Sequence, residues 1–195
     1  MTKMFVKNKI YLASKSPRRN ELLRGMGFDF EVMPTNVKEA YPVDLSPAEV
    51  AEYLSALKLT TIDFQKFPKG SLFIACDTIV VVGDEILGKP KDADDAYRML
   101  RLLSGREHEV ISGLTVMTEA KKLTRHRTTK VKFRELSDEE IHYYIENYKP
   151  FDKAGAYGVQ EWIGYVGIEY IDGSYYNVMG LPTQLLWQML ELFNN

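Results

Sequence analysis

The sequence predicts an α/β fold built on a mixed sheet, and three observations lead there. Short apolar runs alternate with stretches of helical periodicity, several helix starts carry capping signals, and Leu72–Val82 is apolar enough to be a strand covered on both faces. With 195 residues, 45% hydrophobic and 27% charged, the chain can bury a core and is not a disordered one. A single domain over residues 1–195 is expected, with room for two lobes around a cleft.

Ile10-Tyr11-Leu12-Ala13 reads as the first strand, and the polar turn from Ser14 leads into a helix bearing Leu22, Leu23 and Met26. Ser16 offers an N-cap, Pro17 suits the first helical position, and Gly25 and Gly27 supply the stop. Phe28–Met33 alternates as a second strand ended by Pro34, and a polar loop runs from Thr35 to Leu45. Ser46-Pro47-Ala48-Glu49 has the form of a capping box ahead of Val50, Leu54 and Leu57. Within the Leu72–Val82 strand, Asp77-Thr78 is the one polar interruption. Gly83-Asp84 turns the chain into a short return, Glu85–Leu87, and a helix follows over Asp94–Leu103.

Val110–Met117 and Leu123–Phe133 read as strands, the second with one wet face. Ser137-Asp138-Glu139-Glu140 repeats the capping signature before a helix that ends near Tyr148-Lys149-Pro150. Phe151–Gln160, rich in Gly and Ala, reads as a shaped loop. Val166–Ile171 reads as a strand, Gly173-Ser174 as a turn and Pro182–Phe193 as a closing amphipathic helix.

A net charge of −2 gives no overall attraction for polyanions. A phosphate ligand would therefore need a local cluster of Lys, Arg and backbone amides, and stable nucleic-acid binding is not expected. Cys76 is the sole cysteine, which excludes an intrachain disulfide and fits a reducing compartment. Residues 1–13 hold no apolar run long enough for a signal or a bilayer span, so a cytoplasmic location without a membrane partner is expected.

Ser14–Arg19 joins a strand to a helix start, where free amides and the helix dipole favour an anion and Arg18 and Arg19 add planar forks suited to phosphate. An N-capped helix with a solvated basic first turn explains the same residues equally well. Asp77 needs a cation, a metal or a strong donor to be ionised inside an apolar strand. The bland alternatives are backbone amides around it, or a turn in place of the strand. Glu39 in the polar loop could give a second oxygen to a hard cation such as magnesium. Lys58 at a helix end, Lys89 in a Gly-Pro turn and Lys153 in the Gly/Ala loop are each ordinary alone. His108, His126 and His142 are scattered and make no zinc spacing, and no Gly-x-Ser-x-Gly elbow occurs.

Leu12-Ala13-Ser14-Lys15-Ser16-Pro17-Arg18-Arg19, with Glu21-Leu22-Leu23, resembles the N-terminal signature of the Maf family. Matching blocks follow in order: Cys76-Asp77-Thr78-Ile79-Val80, Leu87-Gly88-Lys89-Pro90, Leu103-Ser104-Gly105-Arg106 with His108, Asp152–Gln160, and Met179-Gly180-Leu181-Pro182. The resemblance implies a deep cleft similar to that of inosine triphosphate pyrophosphatases and cleavage of nucleoside triphosphates between the α and β phosphates. It also implies Mg2+, or Mn2+ or another divalent cation, as cofactor and a homodimer as a family-level expectation. By motif, Asp77 matches the catalytic acidic residue, Glu39 the acidic position of the early loop, and Lys58, Lys89 and Lys153 the lysines of the cleft. Arg18, Thr78 and Gln160 resemble the set of the dTTP and UTP pyrophosphatases rather than the 7-methyl-GTP branch. Cys76 stands where alanine is common, and Glu161 where glycine often follows the glutamine.

On that resemblance, Ser14, Ser16, Arg18 and Arg19 grip the phosphates with the three lysines, Asp77 acts as general base or, with Glu39, as metal ligand, and Thr78 and Gln160 address a pyrimidine edge. Two other readings stand beside it: a pyrophosphatase for modified nucleotides such as 5-methyl-UTP or pseudo-UTP, and a protein that binds nucleic acid or a division partner. The family's link to septum formation prompts the second, and the charge of −2 without a basic tail counts against it.

Overall fold

The computed structural model describes residues 8–193. Seven strands form one mixed sheet in the order β2-β1-β3-β5-β6-β7, with β4 paired to β3, and helices flank it. The chain divides into two compact units. The first comprises the chain through Asp77, Ser112–Arg127 and the segment from Gly180 on, and the second comprises Thr78–Ile111 and Thr128–Met179.

In the first unit, β1 (Ile10–Leu12) lies between β2 (Phe30–Val32) and the start of β3 (Leu72–Val82), parallel to both. Helix α1 (Pro17–Gly25) connects β1 to its neighbour β2, and α2 (Pro47–Leu57) lies in the connection that returns the chain to β3 on the far edge of β1. The order therefore reverses at β1, and in open α/β sheets the carboxyl ends of strands at such a point form ligand sites. Both faces of β1 and β3 are buried, as parallel strands require. Tyr11, Ala13, Phe73 and Ala75 share one face with Leu59, where the Tyr11 and Phe73 rings stack 5.3 Å apart.

The Ser46 capping box forms as its sequence announces, with Glu49 bonded back to the Ser46 amide at 2.9 Å. Helix α2 lies so close to β5 (Glu107–Met117) that a Cβ on Gly113 would stand 1.9 Å from the Ala51 carbonyl oxygen. Only glycine permits that approach. Strand β2 is shorter than the predicted Phe28–Met33 and largely exposed, because it is the sheet's edge and Phe28 instead packs near Trp187 of α7 (Thr183–Glu191).

In the second unit, the rest of β3 pairs antiparallel with β4 (Glu85–Leu87). Helix α3 (Ala93–Leu103), capped by Asp92, packs on α4 (Asp138–Tyr148), whose Ser137 capping box is also complete. The final residues of β6 (Lys122–Phe133) alternate buried Thr129, Val131 and Phe133 with wetter lysines, and they pair antiparallel with β7 (Ile168–Asp172). Two short helices were not predicted. Helix α5 (Trp162–Gly167) takes the first residues of the expected Val166–Ile171 strand, and α6 (Tyr175–Met179) follows the Gly173-Ser174 turn in a stretch given no element. Both are shorter than two turns, too brief for a helical period to show. Gly164 reaches within contact of the Val159 carbonyl, so tertiary approach decides the matter.

His108 on β5 is buried, stacked 5.5 Å from Phe133, with Nε2 2.8 Å from the Tyr157 hydroxyl. Burial pushes its pKa down from 6.5 to about 4, slightly opposed by Glu107. Between those values the unfolded chain binds the extra proton, so this contribution to stability is complete above pH 6.5 and is lost as pH falls toward 4. Thermal melts across that window are expected to fall less steeply for His108→Leu than for the native chain. Parallel slopes would contradict the assignment.

Candidate active site

The predicted residues of the first unit lie just past the carboxyl end of β1 and beside Asp77, midway along β3 and three residues beyond the level where β1 ends. After β1, the Ser14 amide folds back on the Leu12 carbonyl at 2.9 Å, and the buried Ser14 hydroxyl accepts from the Ser16 amide at 3.2 Å. The Ser16 side chain makes no capping bond to α1, contrary to expectation, although Pro17 does take the first helical position. The first-turn amides of α1 are thus not engaged by the side chain expected to cap them. Arg18 and Arg19 project from that turn. Arg19 donates through Nη1 to Ser14 Oγ at 3.3 Å and through Nε to the Gly180 carbonyl at 2.8 Å.

Gly180 carries no role legible in the sequence beyond its place in a matched block. Its carbonyl is a junction, accepting also from Cys76 Sγ at 3.4 Å, so the arginine turn is tied to the residue just before Asp77. Cys76 is fully buried there.

Asp77 lies within β3, not in a turn, and its partner is a cation rather than backbone amides. Lys58, the C-cap residue of α2, sends its ammonium under the strand to Asp77 Oδ1, to Glu39 Oε1 at 3.2 Å and to the Cys76 carbonyl at 3.3 Å. The ammonium donates to the Cys76 carbonyl and to Asp77, and Glu39 adds a second carboxylate to its charge. The lysine and aspartate side chains are only 10% and 12% exposed, whereas Glu39 is 47% exposed on its loop. A buried pair of this kind offsets its desolvation only if both partners stay in place.

Two carboxylates converging on one ammonium form a hard oxygen set, the donor chemistry that magnesium prefers. Among the described residues no three His, Cys, Asp or Glu side chains cluster to hold a metal. Glu39 and Asp77 would thus hold such an ion together with oxygens from a substrate and water, the usual arrangement for Mg2+ at phosphates.

The second unit gathers the other predicted residues. Thr78 follows Asp77 along β3 and is half-buried. Lys89 is exposed in the Gly88–Pro90 turn, and the Gly88 carbonyl accepts from the Gly155 amide at 3.0 Å, joining that turn to the Lys153 loop. Lys153 is buried and paired to Asp152 at 2.8 Å and to Glu161 at 3.0 Å. Gln160 Oε1 is buried without a hydrogen-bond partner, an orphaned acceptor that a ligand donor would satisfy. Tyr144 and Asp152 were missed as parts of this cluster. Asp152 was visible beside Lys153, but nothing in the sequence ties Tyr144 of α4 to the loop.

The family model described as Maf-like protein matches residues 9–193. A Flavobacterium psychrophilum protein named dTTP/UTP pyrophosphatase is 46% identical over 190 residues, covering 97% of each chain. Proteins of the same name from Bacteroides thetaiotaomicron and Cytophaga hutchinsonii are 47% and 50% identical, each over 95% of this chain and over 96% and 84% of their own. The blocks that carry the sequence resemblance supply the strand-end serine, the arginine turn and the aspartate assembled above, and with a match along nearly its whole length the chain belongs to the Maf family.

Proposed function

We propose that this protein hydrolyses nucleoside triphosphates, dTTP and UTP foremost, to the monophosphate and pyrophosphate. The observation that carries the reading is the Lys58 ammonium drawn to Asp77 of β3 and to Glu39, tied through Cys76 and Gly180 to the arginine turn of α1. Breaking a phosphoanhydride needs a placed water, neutralised phosphate charge and in-line approach, so placement and electrostatics supply most of the rate. Arg18, Arg19 and the amides around Ser14 and Ser16 bind the phosphate tail, where the helix dipole adds to their charge. Lys89 and Lys153 bind phosphate as well.

Asp77 orients or deprotonates the attacking water, or with Glu39 holds the metal; Lys58, paired to both carboxylates, holds their oxygens in place. A bound Mg2+ would stabilise charge building on the reacting phosphate. Gln160 Oε1 accepts from the N–H of a uracil or thymine edge, and Thr78 adds a hydroxyl. The relatives' names support the pyrimidine preference, as do Arg18, Thr78 and Gln160.

Pyrophosphate release from a panel of dTTP, UTP, their 5-methyl-UTP and pseudo-UTP analogues and purine triphosphates tests this directly. With Mg2+ the pyrimidines are expected to turn over at least about tenfold faster in kcat/KM than the purines. Excess chelator is expected to stop turnover, and Mg2+ or Mn2+ to restore it. No release from any triphosphate with metal present would overturn the proposal, and equal rates across the panel would overturn its pyrimidine part.

A further inference from the structure

Glu161 directly follows Gln160, and its surroundings are built around it. Oε1 lies 3.0 Å from the buried Lys153 ammonium, and Oε2 accepts from the Tyr144 hydroxyl. That hydroxyl in turn accepts from the Gly158 amide at 3.0 Å. Tyr144 is fully buried on α4, and burial, followed by its bond to Glu161, holds the phenol far above its ordinary pKa, so it stays a donor. The turn closes on itself as well, through the Glu161 amide to the Gly158 carbonyl at 3.0 Å. A Cβ on Gly158 would come within 2.8 Å of Glu161 Cδ and 3.1 Å of Lys153 Cε, so glycine lets both side chains lie close over the turn.

Gln160 sits inside this closure, with Gly158 fixed two residues before it and Glu161 fixed directly after. Asp152 is the other counter-charge of Lys153, but its side chain is 54% exposed against 20% for Glu161, so Asp152 is the better solvated and weaker tether. We propose that Glu161 is a positioning residue: anchored by Tyr144, its carboxylate holds the Lys153 ammonium and the Gly158–Gln160 turn in the one arrangement that binds the nucleotide. The inference rests on the reading of Lys153 and Gln160 as nucleotide-binding residues.

Steady-state kinetics on UTP and GTP with Glu161→Gln, Tyr144→Phe, Lys153→Met and the Glu161→Gln/Lys153→Met double variant test it, with thermal melts alongside. Glu161→Gln keeps the size and the Tyr144 contact but loses the charge. It is expected to raise KM for UTP about tenfold, to change kcat less than about threefold and to narrow the preference for UTP over GTP. Tyr144→Phe, which removes one oxygen and no charge, shifts the same quantities in the same direction by a smaller factor. In the Lys153→Met background, Glu161→Gln adds less than about twofold, since the two act as one unit. A large effect of Lys153→Met with native KM and preference in both Glu161→Gln and Tyr144→Phe overturns the positioning role alone. A proportional loss for both nucleotides, tracking a lowered melt, likewise reduces Glu161 to a structural contact. Native kinetics in Lys153→Met overturn the reading on which the inference stands.

Discussion

Replacing Asp77 with asparagine is expected to lower kcat for UTP about a thousandfold while the chain still folds. Asparagine keeps the volume and an oxygen for the Lys58 ammonium, whose charge stays paired with Glu39, so the buried contact on α2 persists. Its amide neither accepts a proton from water nor ligates a hard cation well. Pyrophosphate release measured beside a thermal melt separates chemistry from folding. The two roles left open for Asp77 also part here. If Asp77 is a metal ligand, the residual activity needs a higher Mg2+ concentration for half-maximal rate, whereas a pure base leaves that concentration unchanged. A native rate in Asp77→Asn would contradict both.

Lys58→Met is expected to damage stability and activity together. Removing the ammonium leaves Asp77 and Glu39 facing each other and the Cys76 carbonyl without its donor. Breaking a buried pair from one side costs about 3 kcal/mol, most of it the uncompensated charge that remains. Activity is expected to fall about a hundredfold in kcat/KM as the carboxylates lose their aim. The double variant Asp77→Asn/Lys58→Met should recover much of the stability, because no strand-buried charge is then stranded, and none of the activity. Urea unfolding of the four proteins reads this coupling. Additive losses would show that Lys58 acts by packing alone.

How much of this was legible in the sequence depends on whether a residue stood against its local background. Asp77 did, because a carboxylate inside an apolar strand has few ordinary explanations. The capping boxes at Ser46 and Ser137 did too, since their chemistry lies within four residues. Lys58 did not: a lysine at a helix end is already explained by the dipole, and its true partners come from β3 and from a loop some twenty residues upstream. Ser16 does take the N-cap position read for it, but its side chain makes no capping bond, and its amide donates instead to the Ser14 hydroxyl.

Glu161 looked like an added carboxylate near the base-reading loop. The structure accounts for it through Lys153 and Tyr144, a link that only the approach of α4 creates. The unpredicted α5 and α6 follow the same rule. Segments of five or six residues carry too little periodicity to outweigh tertiary contacts such as Gly164 against the Val159 carbonyl.

Phosphorus NMR of UTP incubated with the purified protein and Mg2+, run in parallel with Asp77→Asn, bears most directly on the claim that the Lys58–Asp77–Glu39 group cuts the α–β anhydride. UMP and pyrophosphate rising in equal amounts, and nearly absent with the variant, is the expected result. UDP with orthophosphate, or the same products at the same rate from both proteins, would contradict it.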